Sequence, residues 1–461
     1  MSQWLPWIDR AATRWPDATA YSDAAETRTF GELHARAHAA ARRWIGAGVR
    51  PGDRLLTLLE PSATLVECLH ASQLAGACLV PLNPQLGVDE LVRLAVHADA
   101  RWLVHDREHA ALGARLAAAT GAAAPDVEPA KAASLPRVGA DDPLAIVYTS
   151  GTTAAPKGVV LSQRNFESGA EASAARLGCR PGDRWLAAMP MFHVGGLSIP
   201  VRCALVGMTQ VQHPRFAAPE VVAALRTDRI THVSLVPTML ARLLDHGLDG
   251  RDCPQLRAAV IGGGRLPPSL VDRATAARVP LVATYGLTET AAQVTASTPG
   301  DAAAHPGSAG TPLAGVEITI DSPDGEGVGE VLVRAAQVTA GYWRDPERTA
   351  QARSGERWRT GDLGRLDSDG RLWIDVRRDD LIVTGGENVR PAAVEDVLRA
   401  HPAVADAGVC GLLDNHWGQR VAAAVVLRSG AHCDETELGA WCRDRLAPFQ
   451  VPRAWRLVAA L

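Results

Sequence analysis

Short apolar runs alternate with longer stretches of helical spacing from the start of the chain to about residue 140. Phe30 to Trp44 repeats its apolar side chains at three- and four-residue intervals, which predicts an amphipathic helix. Arg54-Leu55-Leu56-Thr57-Leu58-Leu59 follows the turn Arg50-Pro51-Gly52-Asp53 and reads as a buried strand. Leu65 to Ala77 is a second apolar helix, and Cys78-Leu79-Val80-Pro81-Leu82 a second strand. Alternation of this kind predicts a parallel α/β layer. Ala110 to Ala133 is Ala-rich with few bulky side chains, so a surface helix and linker are expected there. The run Leu144-Ala145-Ile146-Val147 predicts another buried strand, and Val159-Val160-Leu161 resumes a strand after a loop.

Further on, Thr231 to Leu240 reads as strand, turn and helix start, with Pro237 near the first helical position. Leu256 to Ile261 is a strand that ends in Gly262-Gly263-Gly264. Gly329 to Arg334 and Gly341-Tyr342-Trp343 belong to a small β-rich region. Charged residues beside a strand and a double glycine, Arg377 to Asn388, suit a domain hinge. Beyond it, Pro391 to Ala400 reads as a helix, and Ala403 to Leu412 and Val421 to Leu427 as strands. The expected fold is α/β. It has a large N-terminal domain, 1–378, of layered α/β subdomains plus a small β-barrel-like part. A small mobile α+β domain, 379–461, follows.

Composition narrows the class. A chain of 461 residues exceeds one typical core, which agrees with two domains. Apolar residues at 47% and charged residues at 21% are ordinary for a soluble globular protein. A net charge of -4 gives no electrostatic case for nucleic acid. No apolar run is long enough to span a membrane, and Met1-Ser2-Gln3-Trp4-Leu5-Pro6 lacks the basic and apolar regions of a signal peptide. The eight cysteines are scattered, without metal-ligand spacing, which fits a reduced cytoplasmic setting.

The loop Tyr148-Thr149-Ser150-Gly151-Thr152-Thr153-Ala154-Ala155-Pro156-Lys157-Gly158 concentrates hydroxyls, glycines and a lysine. Glycine lets backbone N–H groups approach an oxyanion, hydroxyls add donors, and lysine adds a compact charge. Lys131 and Lys157 are the two lysines of a chain otherwise basic through arginine, so a point charge on a flexible stem is wanted at Lys157. A plain Gly/Ser/Thr hairpin turn is the competing reading. A Walker loop is rejected, because Gly158 follows the lysine and the next segment is a strand rather than a helix.

Other positions join this one. His193, in Pro190-Met191-Phe192-His193-Val194-Gly195, is suited to orienting a carboxylate, although a lone histidine at a strand end is more often simply packed. Arg202 interrupts the apolar segment Leu197 to Val206; a core-edge ion pair or a clamp for a substrate carboxylate would each explain it. In Thr284-Tyr285-Gly286-Leu287-Thr288-Glu289-Thr290, Tyr285 can pack against a flat ring. Glu289 offers a hard oxygen ligand for Mg²⁺, and Thr288 can cap a helix with an acidic first turn. Asp362, on a Gly-bounded turn, can accept from two hydroxyls, and is also what an ordinary Asp-turn looks like.

At these residues the chain resembles the adenylate-forming superfamily of acyl-CoA synthetases, peptide-synthetase adenylation domains and luciferases. Five motifs fall in the family's order over nearly the whole chain. The resemblance implies that Thr149, Ser150, Gly151, Thr152, Thr153 and Lys157 hold the ATP phosphates. It places adenine at Gly262, Gly263, Gly264, Thr284, Tyr285 and Gly286. Thr288 then touches the α-phosphate, Glu289 the metal, Asp362 the ribose and Arg377 the nucleotide. His193, Gly195, Arg202, Val236 and Pro237 would line the acyl pocket. Asp379 would be the hinge, and Gly385, Gly386, Glu387 and Asn388 the loop on the CoA side. Lys157, His193, Thr288, Glu289 and Arg377 would carry catalysis. ATP, Mg²⁺ and CoA are implied, together with a small-molecule carboxylate; a homodimer is left open.

Within the superfamily the similarity is greatest to the o-succinylbenzoate–CoA ligases of menaquinone synthesis, whose substrate has two carboxylates for His193 and Arg202. Fatty-acid and aryl-acid CoA ligases are the alternative within the superfamily. Family members close with a Pro-x-x-x-x-Gly-Lys segment, and this sequence ends Val451 to Leu461 ahead of it. Adenylation is therefore expected to be impaired in the chain as written, with thioester formation not excluded. A nucleotide- or acyl-adenylate-binding protein without turnover is the reading from another class. A carrier-protein adenylation domain is a third, without a visible carrier.

Overall fold

The computed structural model describes residues 4–125, 134–149, 156–264, 266–325, 327–377, 382–389 and 391–459. Two large sheets form its framework. In one, the strands Trp102–His105, Arg54–Leu58, Cys78–Pro81 and Pro143–Thr149 run parallel. Lys157–Ser162 then turns back antiparallel to Pro143–Thr149, pairing Thr149 with Lys157. The expected helices are Phe30–Ala47 and Ala63–Ala75, and the Ala-rich stretch supplies Ala110–Thr120. Phe30–Ala47 begins with a reciprocal cap between Thr29 and Glu32, and Gly48 ends it in the left-handed region.

The second sheet has nine strands. Its parallel centre is Leu281–Leu287, Ala258–Ile261, His232–Leu235, Arg184–Ala187 and Thr209–Gln212. A hairpin near the N-terminus, Thr19–Ser22 with Thr27–Thr29, extends one edge. Its polar, threonine-rich sequence carries no alternation to announce it. At the other edge Ala292–Ala296 runs antiparallel to Leu281–Leu287. The helix start expected at Thr288 is instead a single 3₁₀ turn, Thr288–Thr290. Ala291, at φ 50°, ends that turn and reverses the chain into the next strand. The Leu287 N–H donates to Thr290 Oγ1 at 2.9 Å, so Thr290 takes the capping role expected of Thr288.

The small β-rich part is an antiparallel sheet of Glu317–Asp321, Gly329–Arg334, Arg357–Leu366, Arg353–Ser354 and Leu372–Arg377. Residues 382–459 make a separate α+β unit. Its sheet holds Ile382–Thr384, Glu387–Val389, Val404–Asp414, Gly418–Leu427 and Ala454–Leu457, with the helices Pro391–Arg399 and Glu435–Arg443. That unit has its own core, with Ile382, Val394, Leu398, Val425 and Leu438 fully buried. No helix among the described residues is long and apolar enough to cross a membrane.

Candidate active site

The parallel centre of the nine-stranded sheet ends at one cavity of about 220 Å³. Ser234, Leu235 and Val236 line it at the carboxyl end of one strand, Val260, Gly262 and Gly263 at that of the next, and Thr284 and Gly286 on the third. Crevices outside the carboxyl ends of parallel strands are where open α/β sheets bind ligands. Of the residues singled out from sequence, Thr149, Lys157, His193, Gly195, Arg202, Thr288, Glu289, Asp362 and Gly386 also line it. Gly264, Tyr285 and Pro237 adjoin lining residues without lining the cavity themselves. Ser150, Gly151, Thr152, Thr153 and Asp379 lie outside the described residues, as do the side chains of Arg377 and Asn388. The backbone of Arg377 pairs in register with Asp362.

On the phosphate-loop side, Lys157 Nζ lies 2.8 Å from Glu289 Oε1 and 4.9 Å from the Tyr342 ring centre. The Tyr342 hydroxyl donates to the same Glu289 oxygen at 2.9 Å. Burial works to raise the Glu289 pKa, but the Lys157 charge and hydrogen bond, with help from Tyr342, hold it below its ordinary value. The carboxylate is therefore ionised. Thr149 Oγ1 is buried with no hydrogen-bond partner among the described residues, which leaves a donor for an entering anion.

The glycines of the site have steric causes. A side chain on Gly286 would stand 1.6 Å from the Ala292 carbonyl across the strand pair. One on Gly262 would stand 2.7 Å from Thr284 Oγ1, which donates to the Ile261 carbonyl. Tyr285, expected to pack against a flat ring, donates from its hydroxyl to Asp362 Oδ2 at 2.6 Å. Asp362 is 3% exposed, so this bond fixes a buried acceptor.

Arg202 lies on the helix Val194–Val206 and is 3% exposed. Its guanidinium sits 4.4 Å from the Trp185 ring centre. Trp185 stacks its other neighbour, His232, at 5.1 Å and 12°, and donates from Nε1 to Ser234 Oγ. Burial pushes the His232 pKa down to about 4, so this stacking partner is neutral. Burial also lowers the Arg202 pKa, and its Nε has no hydrogen-bond partner among the described residues. Among the described residues no carboxylate lies within ion-pair distance of Arg202. Arg202 is thus an arginine on an aromatic platform at the cavity wall, without a counterion among the described residues. Of the two readings open at the sequence level, the core-edge ion pair is not made.

The small unit closes the opposite side. Gly385 and Gly386 have φ of 60° and 89°, and a side chain on Gly386 would meet Val236 Cγ2 at 2.8 Å. Glu387 Oε2 then lies 3.1 Å from His193 Nε2. The pair joins a residue of each unit.

Sequence reasoning missed Met189, Val194, Ser198, Leu287, Ala292, Gln293 and Thr360 in the lining. Ser198 and Val194 follow His193 on one helix, so the face shared with Arg202 was available as a signal. Ala292 and Gln293 follow the Tyr285 to Thr290 motif directly and shared in the resemblance, but their place in the lining depends on the reversal after the 3₁₀ turn.

Residues 8–343 match the AMP-binding enzyme family, and residues 393–461 match the AMP-binding enzyme C-terminal domain. A 2-succinylbenzoate–CoA ligase of Geobacillus kaustophilus is 39% identical over 456 residues, covering 97% of this chain and 92% of its own length. A double mutant of o-succinylbenzoate CoA synthetase from Bacillus subtilis, bound with its product analogue, is 34% identical with a TM-score of 0.92; the match covers 99% of this chain and 95% of that one. The Bacillus subtilis enzyme in complex with its acyl-adenylate intermediate is 33% identical with a TM-score of 0.76, over 100% and 96% of the two chains. With both regions matched in chain order and relatives of more than 30% identity over nearly the whole chain, the chain belongs to the AMP-binding enzyme family.

Proposed function

We propose that this chain is an AMP-forming acid–CoA ligase whose substrate is o-succinylbenzoate, the acid named in its relatives. The observation that carries the choice of acid is Arg202: a buried cation, without a carboxylate partner among the described residues, on the wall of the cavity. A monocarboxylic acid uses its one carboxylate for chemistry and leaves Arg202 unpaired at a desolvation cost. A dicarboxylate satisfies both needs.

The reaction has two steps. An oxygen of the reacting carboxylate attacks the α-phosphorus of ATP, forming the acyl–phosphate bond and breaking the bond to pyrophosphate. The CoA thiolate then attacks the acyl carbon, forming the thioester and releasing AMP. Arg202 holds the spectator carboxylate. Lys157, Thr149 and Thr288, with the loop holding Ser150, Gly151, Thr152 and Thr153, face the phosphates and offset their charge. Asp362, oriented by Tyr285, accepts from the ribose hydroxyls, with Arg377 on the neighbouring strand. Gly262 and Gly263 leave a flat wall for adenine.

Glu289 fits a magnesium ion shared with phosphate, because it is a single buried carboxylate beside the phosphate loop, and Mg²⁺ takes few carboxylates with phosphate oxygens and water. Magnesium bound there neutralises phosphate charge.

We place the boundary between the two domains at 378 and 379, with Asp379 as hinge. The higher overall agreement with the product-analogue complex than with the acyl-adenylate complex supports a thioester-forming arrangement of the small domain. Gly386 in the cavity lining and Glu387 on His193 agree with it. The loop Gly385 to Asn388 then guides the CoA arm.

The test supplies ATP, Mg²⁺ and CoA with o-succinylbenzoate, benzoate or octanoate, and separately supplies each preformed acyl-adenylate with CoA. Thioester from o-succinylbenzoate, at least ~100-fold faster than from benzoate in either format, is the expected result. Octanoyl-CoA formed as fast in both formats would overturn the dicarboxylate assignment.

A further inference from the structure

Outside the cavity lining, Asp9 on the helix Trp7–Arg14 meets two histidines one turn apart on Phe30–Ala47. His38 Nε2 is 2.7 Å from Asp9 Oδ1, and His34 Nε2 is 3.2 Å from the same oxygen. The two rings lie 4.1 Å apart, and one ligand atom from each of the three residues falls within 4.8 Å of the others. None of the three lines the catalytic cavity.

We propose that Asp9, His34 and His38 form a binding site for a divalent transition metal ion of the zinc class. Histidines at i and i+4 place two imidazoles on one helical face, the spacing helical zinc sites use. Zinc–nitrogen and zinc–oxygen bonds near 2.0–2.1 Å put tetrahedral ligand atoms about 3.3 Å apart. Of the observed separations, 3.2 Å already matches and 2.7 Å must open by about 0.6 Å.

The donor chemistry selects the ion. Two imidazoles and one carboxylate suit zinc, cobalt or nickel rather than magnesium. The other group of possible ligands, His401, Cys433 and Glu437, is less suited. The Ala403 N–H donates to His401 Nδ1, which keeps the proton on Nε2, and Cys433 is pushed up to about 11 by burial and its acidic neighbours. An ion at the first site would tie the N-terminal helix to its neighbour. Trp7, Ile8 and Ala11 of that helix pack in the same core as Leu197 and Val201 of the Arg202 helix.

The test uses the chelator-stripped full chain without nucleotide. Zn²⁺ and Co²⁺ are titrated by calorimetry and thermal shift, with Mg²⁺ as control, and Co²⁺ is followed by its visible spectrum. One bound equivalent is expected, with a four-coordinate nitrogen/oxygen Co²⁺ spectrum and a raised Tm. His34→Gln and His38→Gln should each weaken binding at least ~100-fold, while His401→Gln leaves it unchanged. His34 is partly exposed, so its variant should fold normally. The absence of a Co²⁺ spectrum, an equal response to Mg²⁺, or an unaltered equivalent in His34→Gln would overturn the proposal.

Discussion

Single side chains in this protein are held against their own interest until a ligand arrives. Arg202 is desolvated, and its cation–π contact with Trp185 returns only about 1–2 kcal/mol. Arg202→Leu therefore removes a cost and a gain together, and the unliganded Tm should move by only a few degrees in a scanning experiment. A loss of more than 10 °C would mean that Arg202 is a structural residue. Glu289 makes the opposite case, because its partners are already present. Its folded pKa lies below its ordinary value of 4.5, so the folded state holds this carboxylate ionised more readily than the unfolded chain does. That stability is present above about pH 4.5 and is lost as pH falls through the folded value. Urea unfolding between pH 3 and 6 should show a steeper acid loss for the native chain than for Glu289→Gln. Parallel curves would contradict the Lys157–Glu289–Tyr342 arrangement.

At the scale of elements, the sharp features are places where backbone approaches backbone. Gly286 faces the Ala292 carbonyl so closely that Gly286→Ala should cost about 3 kcal/mol or more, seen as a lowered denaturation midpoint. An unchanged midpoint would rule out that strand pairing. The same region shows what a sequence can and cannot say. The strands Arg54–Leu58 and Cys78–Pro81 and their helices were legible because burial on both faces writes continuous apolar runs. The phosphate loop was legible because its chemistry is local. The turn at Thr288 to Ala291 was not, since a left-handed alanine and a strand reversal leave no periodic trace. Arg202 was legible as an anomaly in an apolar helix, but its platform was not: Trp185 and His232 come from two strands that pair only in the folded sheet.

For the whole molecule, the proposed function assigns the second half of the chemistry to the contact between the two units. Gly386 tolerates no side chain against Val236, and Glu387 reaches His193 across the boundary. Gly386→Ala and Glu387→Gln should slow thioester formation from a supplied acyl-adenylate at least ~10-fold, while acyl-adenylate affinity changes less than ~3-fold. Equal effects on both would mean that the loop belongs to the adenylate pocket. The selection of a dicarboxylate by Arg202 is the central claim, and affinity for stable intermediate mimics reads it directly, since such mimics bind tightly. Kd is measured for o-succinylbenzoyl, benzoyl and octanoyl sulfonyl-adenosine compounds with the native chain and with Arg202→Leu. The expected result is that the o-succinylbenzoyl compound binds the native chain ~100-fold more tightly than the other two, with that advantage gone in Arg202→Leu, as about 2–3 kcal/mol for a buried charge-assisted pair requires. Equal affinity for all three compounds, or an advantage that survives in Arg202→Leu, would contradict it.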